Sequence, residues 1–240
     1  MSEKGILTFF SACDILFMKG VDSMKKFLCI LLSVLLVASL WGCDTASIRG
    51  QTVGGEQNPS EAEFGLGTAS GTAYYNNFLG IRCELPSGWV FYTDEQIREM
   101  NNITADLMGD EVKEILEKAT IVFDMVCVNG STGDTINVNM ERLTALQLVG
   151  LDLKAVLEAQ ISVLQQTYEN AGCTNVQVFY QKVKVDGKDF DALKFSMQAY
   201  GVNMYGVCFS FLRGNYIANV SLLSAQTDKI EEMLGYFTVR

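Results

Sequence analysis

Carboxylates, lysines, tyrosines and cysteines are the side chains able to do chemistry in this chain, for its 240 residues include no histidine. That removes the commonest general base, any Ser-His or Cys-His nucleophile pair and histidine-ligated zinc. No Walker loop or G-x-G-x-x-G fingerprint occurs, and Gly65-x-Gly67 follows no predicted strand. Asp186-Gly187-Lys188-Asp189-Phe190-Asp191 brings three carboxylates close together, as a calcium site would. It lacks the twelve-residue loop and terminal glutamate of an EF-hand, and a hairpin turn with outward aspartates explains it equally well. Asp110, Glu111, Glu114 and Glu117 form an acidic helical surface with Lys113 and Lys118 at pairing distance, the pattern of a solvated face. Tyr74, Tyr75, Phe91 and Tyr92 suit either a groove or a core. These patterns assemble no catalytic set, and no metal or cofactor is expected.

One cysteine stands apart. Lys25 and Lys26 precede an uncharged run from Phe27 to Trp41, too short to span a bilayer and of the length of an export h-region. The run ends in Leu40-Trp41-Gly42-Cys43, which resembles the lipobox of bacterial lipoproteins. Leu40, Gly42 and Cys43 match that pattern, while Trp41 is bulkier than its usual occupant. The resemblance implies diacylglyceryl transfer to the Cys43 thiol, cleavage between Gly42 and Cys43, and residence on the extracytoplasmic face of a bacterial membrane. A signal peptide with an incidental cysteine, or an uncleaved anchor, remains the alternative.

The net charge of −10 supports this address. An acidic protein is repelled by nucleic acid and by anionic headgroups, so no nucleic-acid partner is expected and membrane contact would come from lipid. A diacylglyceryl group supplies the two chains that stable anchoring takes. In an exported domain Cys83, Cys127, Cys173 and Cys208 could form disulfides. Their alternation with apolar residues favours buried free thiols.

The elements that position these residues follow from composition. Residues 44–73 are rich in Gly, Ser and Thr and show no sustained periodicity; they read as a flexible tether, with packing of residues 61–66 on the domain left open. From Tyr74 aromatic and β-branched residues dominate, enough chain for one ordinary domain. The expected division is therefore 1–23 upstream extension, 24–42 signal peptide, 43–73 tether and 74–240 domain.

Within the domain, strands are expected at 80–85 and 89–92, and a capping box at Thr93-Asp94-Glu95-Gln96 opens a helical region that Asn101-Asn102 and Gly109 interrupt. Residues 120–128 read as a buried strand, and the alternation of Ile136, Val138 and Met140 with Thr135, Asn137 and Asn139 as a half-exposed one. Asp152 caps a long helix that Gly172 stops. Four strands follow, reversing at Asp186-Gly187, Gly201-Val202-Asn203 and Gly214-Asn215, before a short helix at 227–234. Tight turns make neighbours antiparallel, so the fold class is α+β. The strand carrying Tyr205, Val207, Phe209 and Phe211 on one side and Met204, Cys208 and Leu212 on the other needs cover on both, which places helices on both faces of the sheet.

Phe78-x-Gly80-Ile81, Leu85-Pro86-x-Gly88-Trp89, Asn137-x-Asn139, a long helix and Val185-Asp186-Gly187 before a meander resemble the Mog1/PsbP-like domains, over about residues 74–240. The resemblance implies an α/β/α sandwich that acts by binding or assembly, here with an unknown envelope protein. A carboxylate-dependent hydrolase of an envelope polymer and a small-ligand or peptide receptor are the alternatives.

Residues 1–23 place Glu3, Asp14 and Asp22 ahead of the basic region, so Met24 is the expected start. Lys19-Gly20-Val21 can be encoded by a ribosome-binding sequence. The nucleotide sequence checks this: a GGAG core is expected across these codons, and its absence removes the argument.

Overall fold

The computed structural model describes residues 64–103 and 110–240. The expected signal segment, Gly42, Cys43 and residues 44–63 of the expected tether lie outside the described residues. In chain order the elements are β1 (Thr68–Ser70), β2 (Ala73–Asn76), β3 (Ile81–Glu84), β4 (Trp89–Phe91), α1 (Asp94–Met100), α2 (Asp110–Lys118), β5 (Ile121–Asn129), β6 (Thr135–Arg142), α3 (Ala145–Leu148), α4 (Leu153–Asn170), β7 (Thr174–Val185), β8 (Lys188–Ala199), β9 (Val202–Arg213), β10 (Tyr216–Ala225), α5 (Ile230–Leu234) and β11 (Phe237–Val239). No helix among the described residues is long and apolar enough to cross a membrane.

Seven strands form one sheet in the order β4-β5-β6-β10-β9-β8-β7, every neighbouring pair antiparallel. The expected run from β7 to β10 is present. Two of its hairpins turn at Asp186-Gly187 and Tyr200-Gly201, where all four residues have positive φ, the backbone of a two-residue type I′ turn. The second reversal thus falls earlier than Gly201-Val202-Asn203, and Val202 already begins β9.

The two faces of this sheet are covered differently. On one, Val207, Phe209, Val220 and Leu222 pack with Leu116 of α2 and with Ile230, Met233 and Leu234 of α5. A second sheet, β1-β2-β3-β11, joins that core through Tyr74, Ile81, Cys83 and Phe237. On the other face, α4 lays Leu157, Leu164 and Tyr168 over Val178, Leu193, Phe195 and Cys208. The fold is α+β, mainly antiparallel, with helices on both faces. The second sheet is an addition that the sequence pattern did not reveal.

It also moves the domain boundary. Thr68–Ser70 pairs with β2, and Phe64 stacks on Tyr216 with ring centroids 4.7 Å apart, so the folded part reaches back through residues 64–73 of the expected tether.

A β-bulge couples the two sheets. Phe123 pairs with Asn139 and Met125 with Val138, which leaves Asp124 as the extra residue of β5, turned toward the smaller sheet. There its carboxylate accepts from the Tyr74 hydroxyl, from Asn76 Nδ2 at 2.6 Å and from the Gly67 backbone N–H at 2.5 Å. Burial pushes the Asp124 carboxyl up to about 6 while these three donors pull it down. On the same strand, Phe123 exchanges two hydrogen bonds with the Asn101 carboxamide, N–H to Oδ1 at 2.8 Å and C=O from Nδ2 at 2.7 Å. The side chain thus takes the place of a neighbouring strand where β4 is too short to reach.

Gly206 faces Phe195 across β8 and β9, and a Cβ there would come within 2.0 Å of the ring. That ring supports Tyr168 of α4, their centroids 5.6 Å apart. Gly206→Ala is therefore expected to cost about 1–3 kcal/mol through overpacking, read as a lower denaturation midpoint with an unchanged slope. An unaltered midpoint would show that α4 does not depend on this contact.

Candidate functional site

On the α4 side of the large sheet, the register sets a row of polar side chains across five strands. Asn139 of β6 lies opposite Asn219 of β10, Asn219 opposite Ser210 of β9, Ser210 opposite Asp191 of β8, and Asp191 opposite Lys182 of β7. Asn219 Nδ2 donates to Asn139 Oδ1 at 3.2 Å, and the Ser210 hydroxyl donates to Asn219 Oδ1 at 2.7 Å. Asp191 accepts from the Tyr180 hydroxyl at 2.5 Å and pairs with Lys182 at 3.1 Å.

Period-two alternation adds Thr135, Asn137 and Glu141 of β6 to the same face. All four polar residues of this strand face are buried, which corrects the half-exposed reading of β6. Buried polar groups normally find partners. Thr135 Oγ1, Asn137 Nδ2, Glu141 Oε2 and Gln160 Oε1 have none among the described residues.

Glu141 ends the row of β6 residues at a cleft of about 680 Å³. The C-terminus of α2 and the start of β5 supply Lys118 and Thr120, β6 supplies Glu141 and Arg142, and the following turn and α3 supply Thr144 and Gln147. Asn215 of the β9–β10 turn completes the wall, held there because its carbonyl accepts from the Leu143 N–H at 2.7 Å. The Thr144 capping box, closed with Gln147, fixes the start of α3. Burial pushes the Glu141 carboxyl up from 4.5 to about 7. Near neutral pH this group exchanges a proton, and it can donate or accept a hydrogen bond.

The sequence candidates are placed elsewhere. Asp186 Oδ2 accepts from the Val239 N–H, and Asp189 pairs with Lys184 at 2.7 Å, which lowers its carboxyl below the usual range. Asp191 belongs to the polar row, so the three carboxylates of that turn are divided among separate partners. Among the described residues no group of three His, Cys, Asp or Glu is placed to hold a metal ion. Cys83, Cys127, Cys173 and Cys208 are free and buried, and burial pushes the Cys83 thiol up to about 12, where thiolate chemistry is suppressed. Tyr74 serves the Asp124 cluster, and Tyr75 lies beneath the Arg82 guanidinium on the surface. The side chains of Asp110, Glu111, Lys113 and Glu114 lie outside the described residues, as do Gly42 and Cys43.

Glu141 and the Asn139–Asn219–Ser210 row were not singled out by sequence reasoning. The available signal was polarity at alternate positions of two adjacent strands, residues 135–141 and 219–221, which a solvated face produces equally well.

No family model matches the chain, and no curated protein matches it. Solved structures similar to it include a protein of Bacteroides thetaiotaomicron, with 11% identity, covering 71% of this chain and 48% of that one at a TM-score of 0.35. This chain thus spans about half the length of that relative. LpqN of Mycobacterium tuberculosis, involved in cell envelope biogenesis, is similar with 11% identity over 64% of this chain and 75% of its own, at a TM-score of 0.34. The Ran-binding protein Mog1p of Saccharomyces cerevisiae is similar with 12% identity over 67% and 90%, again at 0.34.

Glu141 makes a signed prediction about pH. Its native pKa is raised, so between about pH 4.5 and 7 the unfolded chain has lost a proton that the native one keeps, and stability falls as pH rises. Asp124 acts in the same direction, but only up to about pH 6. Glu141→Gln should remove the part of the decline between pH 6 and 7 and leave the variant more stable at pH 8, by on the order of 2–3 kcal/mol. Denaturant titrations across this range check it; parallel curves for the two proteins would refute the assignment.

Proposed function

We propose that the chain is a lipid-anchored extracytoplasmic binding protein, exported by residues 24–42, held by a diacylglyceryl group on Cys43, and acting as an accessory or assembly factor for an envelope complex. The observation that carries the binding role is the cleft of about 680 Å³ at the end of β6, where Thr120, Glu141, Arg142, Thr144, Gln147 and Asn215 bring polar and charged groups together.

The hydrolase reading needs two carboxylates about 5–10 Å apart. Asp191, the other carboxylate of the polar row, lies three strands and two residues from Glu141, roughly 15 Å by strand spacing. The receptor reading fares better, because a cleft of this volume with a few convergent polar groups suits a small ligand.

Anchor and site are tested separately. Cys43→Ser should shift the protein out of the membrane fraction and remove the mass of the lipid; unchanged partition and mass would refute the anchor. A photo-crosslinking residue at Thr144, on the cleft rim, should capture a discrete adduct in intact cells, whereas one at exposed Lys184 should not. Equal labelling from both positions would count against the cleft.

A further inference from the structure

We infer that the loop holding α3 is a membrane-contact site, whose Leu146 and Val149 enter the surface of the phospholipid bilayer to which Cys43 is tied. This inference rests on the lipid anchor proposed above and adds the orientation of the domain.

Leu146 is 84% exposed and Val149 80%, the highest values among the large apolar side chains of the described residues. Single exposed aliphatics are ordinary on a protein surface, but these two stand three positions apart, with Leu148 and Leu151 only half-buried in the same loop. The backbone holds them there. The Thr144 capping box fixes the start of the loop, the Leu148 N–H donates to the Thr144 carbonyl at 3.1 Å, and Gly150 turns the chain with a positive φ. Residues 143–151 carry no charge, so on a chain of net charge −10 this loop offers a bilayer an apolar contact without local repulsion.

The occupant is selected by where the chain enters the fold. The described domain begins at Phe64, and only residues 44–63 separate it from the proposed lipid on Cys43, a span of at most about 70 Å. Phe64 stacks on Tyr216, whose strand partner on β6 is Arg142. The next residue, Leu143, opens the apolar loop and donates to the Asn215 carbonyl beside Tyr216. The segment leading to the lipid and the apolar loop therefore leave the large sheet at the same end. Tyr200 stands at the opposite end of β9, twelve residues or about 40 Å of strand away.

Two aliphatic side chains hold a free protein to a bilayer only marginally. On a domain already carrying acyl chains, they decide which end faces the lipid.

The test uses the full chain, purified with its lipid and reconstituted in phosphatidylcholine vesicles with brominated acyl chains, since bromine quenches an indole only on contact. Leu146→Trp is expected to lose roughly half of its added emission relative to unbrominated vesicles, with a blue shift. Tyr200→Trp, at a site 77% exposed, should lose none. The parent protein, with Trp89 alone in the domain, supplies the background, and circular dichroism checks that both variants fold. Absence of quenching at Leu146→Trp, or equal quenching at both sites, overturns the inference. A blue shift at Leu146→Trp without quenching marks a second copy on the loop in place of lipid and overturns it as well. Mass spectrometry of the same sample reads the anchor separately: lipid on Cys43 with Leu146→Trp unquenched keeps the anchor and removes the loop contact, whereas an unlipidated chain removes both.

Discussion

The buried carboxylate of Asp124 is the point from which the two sheets take their relative position. Its place at a bulge frees it from the alternation of β5 and turns it toward β1 and β2, where it gathers donors from Gly67, Tyr74 and Asn76. Asn76 extends the contact, accepting from the Leu79 N–H and donating to the Gly65 carbonyl. One side chain thereby fixes Gly67 and strand β2, both far from it in sequence. Removing the acceptor would strand several buried donors at once, so the cluster behaves as a unit rather than as separable bonds. Gly67 can approach only because it has no Cβ, which would lie 2.4 Å from the Tyr74 ring.

With the smaller sheet closing one face of the large sheet, the other face is left to α4. Its two halves differ in character. Over β7, β8 and β9 the helix meets an ordinary apolar layer, whereas β6 and β10 present amides and hydroxyls. A core of matching volume made from aliphatic residues would avoid the cost of unsatisfied groups. Keeping polar atoms here sacrifices stability locally.

Much of this architecture was legible in the sequence, and the gaps have physical causes. The run β7–β10 was readable because glycine-containing turns punctuate long alternating strands. The helix from Asp152 was readable because its cap side chain, its apolar stripe and its glycine stop agree, and Asp152 does accept from the Ala155 N–H. The smaller sheet was hidden because β1, β2, β3 and β11 are three or four residues long, and β11 pairs with a strand more than 150 positions earlier. The polar row was hidden for a different reason. Alternation tells which residues share a face, and only the tertiary arrangement tells whether water reaches that face.

The Asn101 carboxamide on β5 has a consequence for how copies of this domain can meet. A sheet with two open edges can recruit neighbours on both and grow without limit. Asn101 occupies backbone groups of Phe123 on one margin, beside a β4 of three residues, and so leaves twelve-residue β7, with Lys182 and Lys184, as the only long margin of the large sheet. Lysines on an open margin are one of the means by which a sheet discourages the addition of a further strand, so the two edges of the large sheet are guarded differently, one by a carboxamide that occupies its backbone groups and the other by charge.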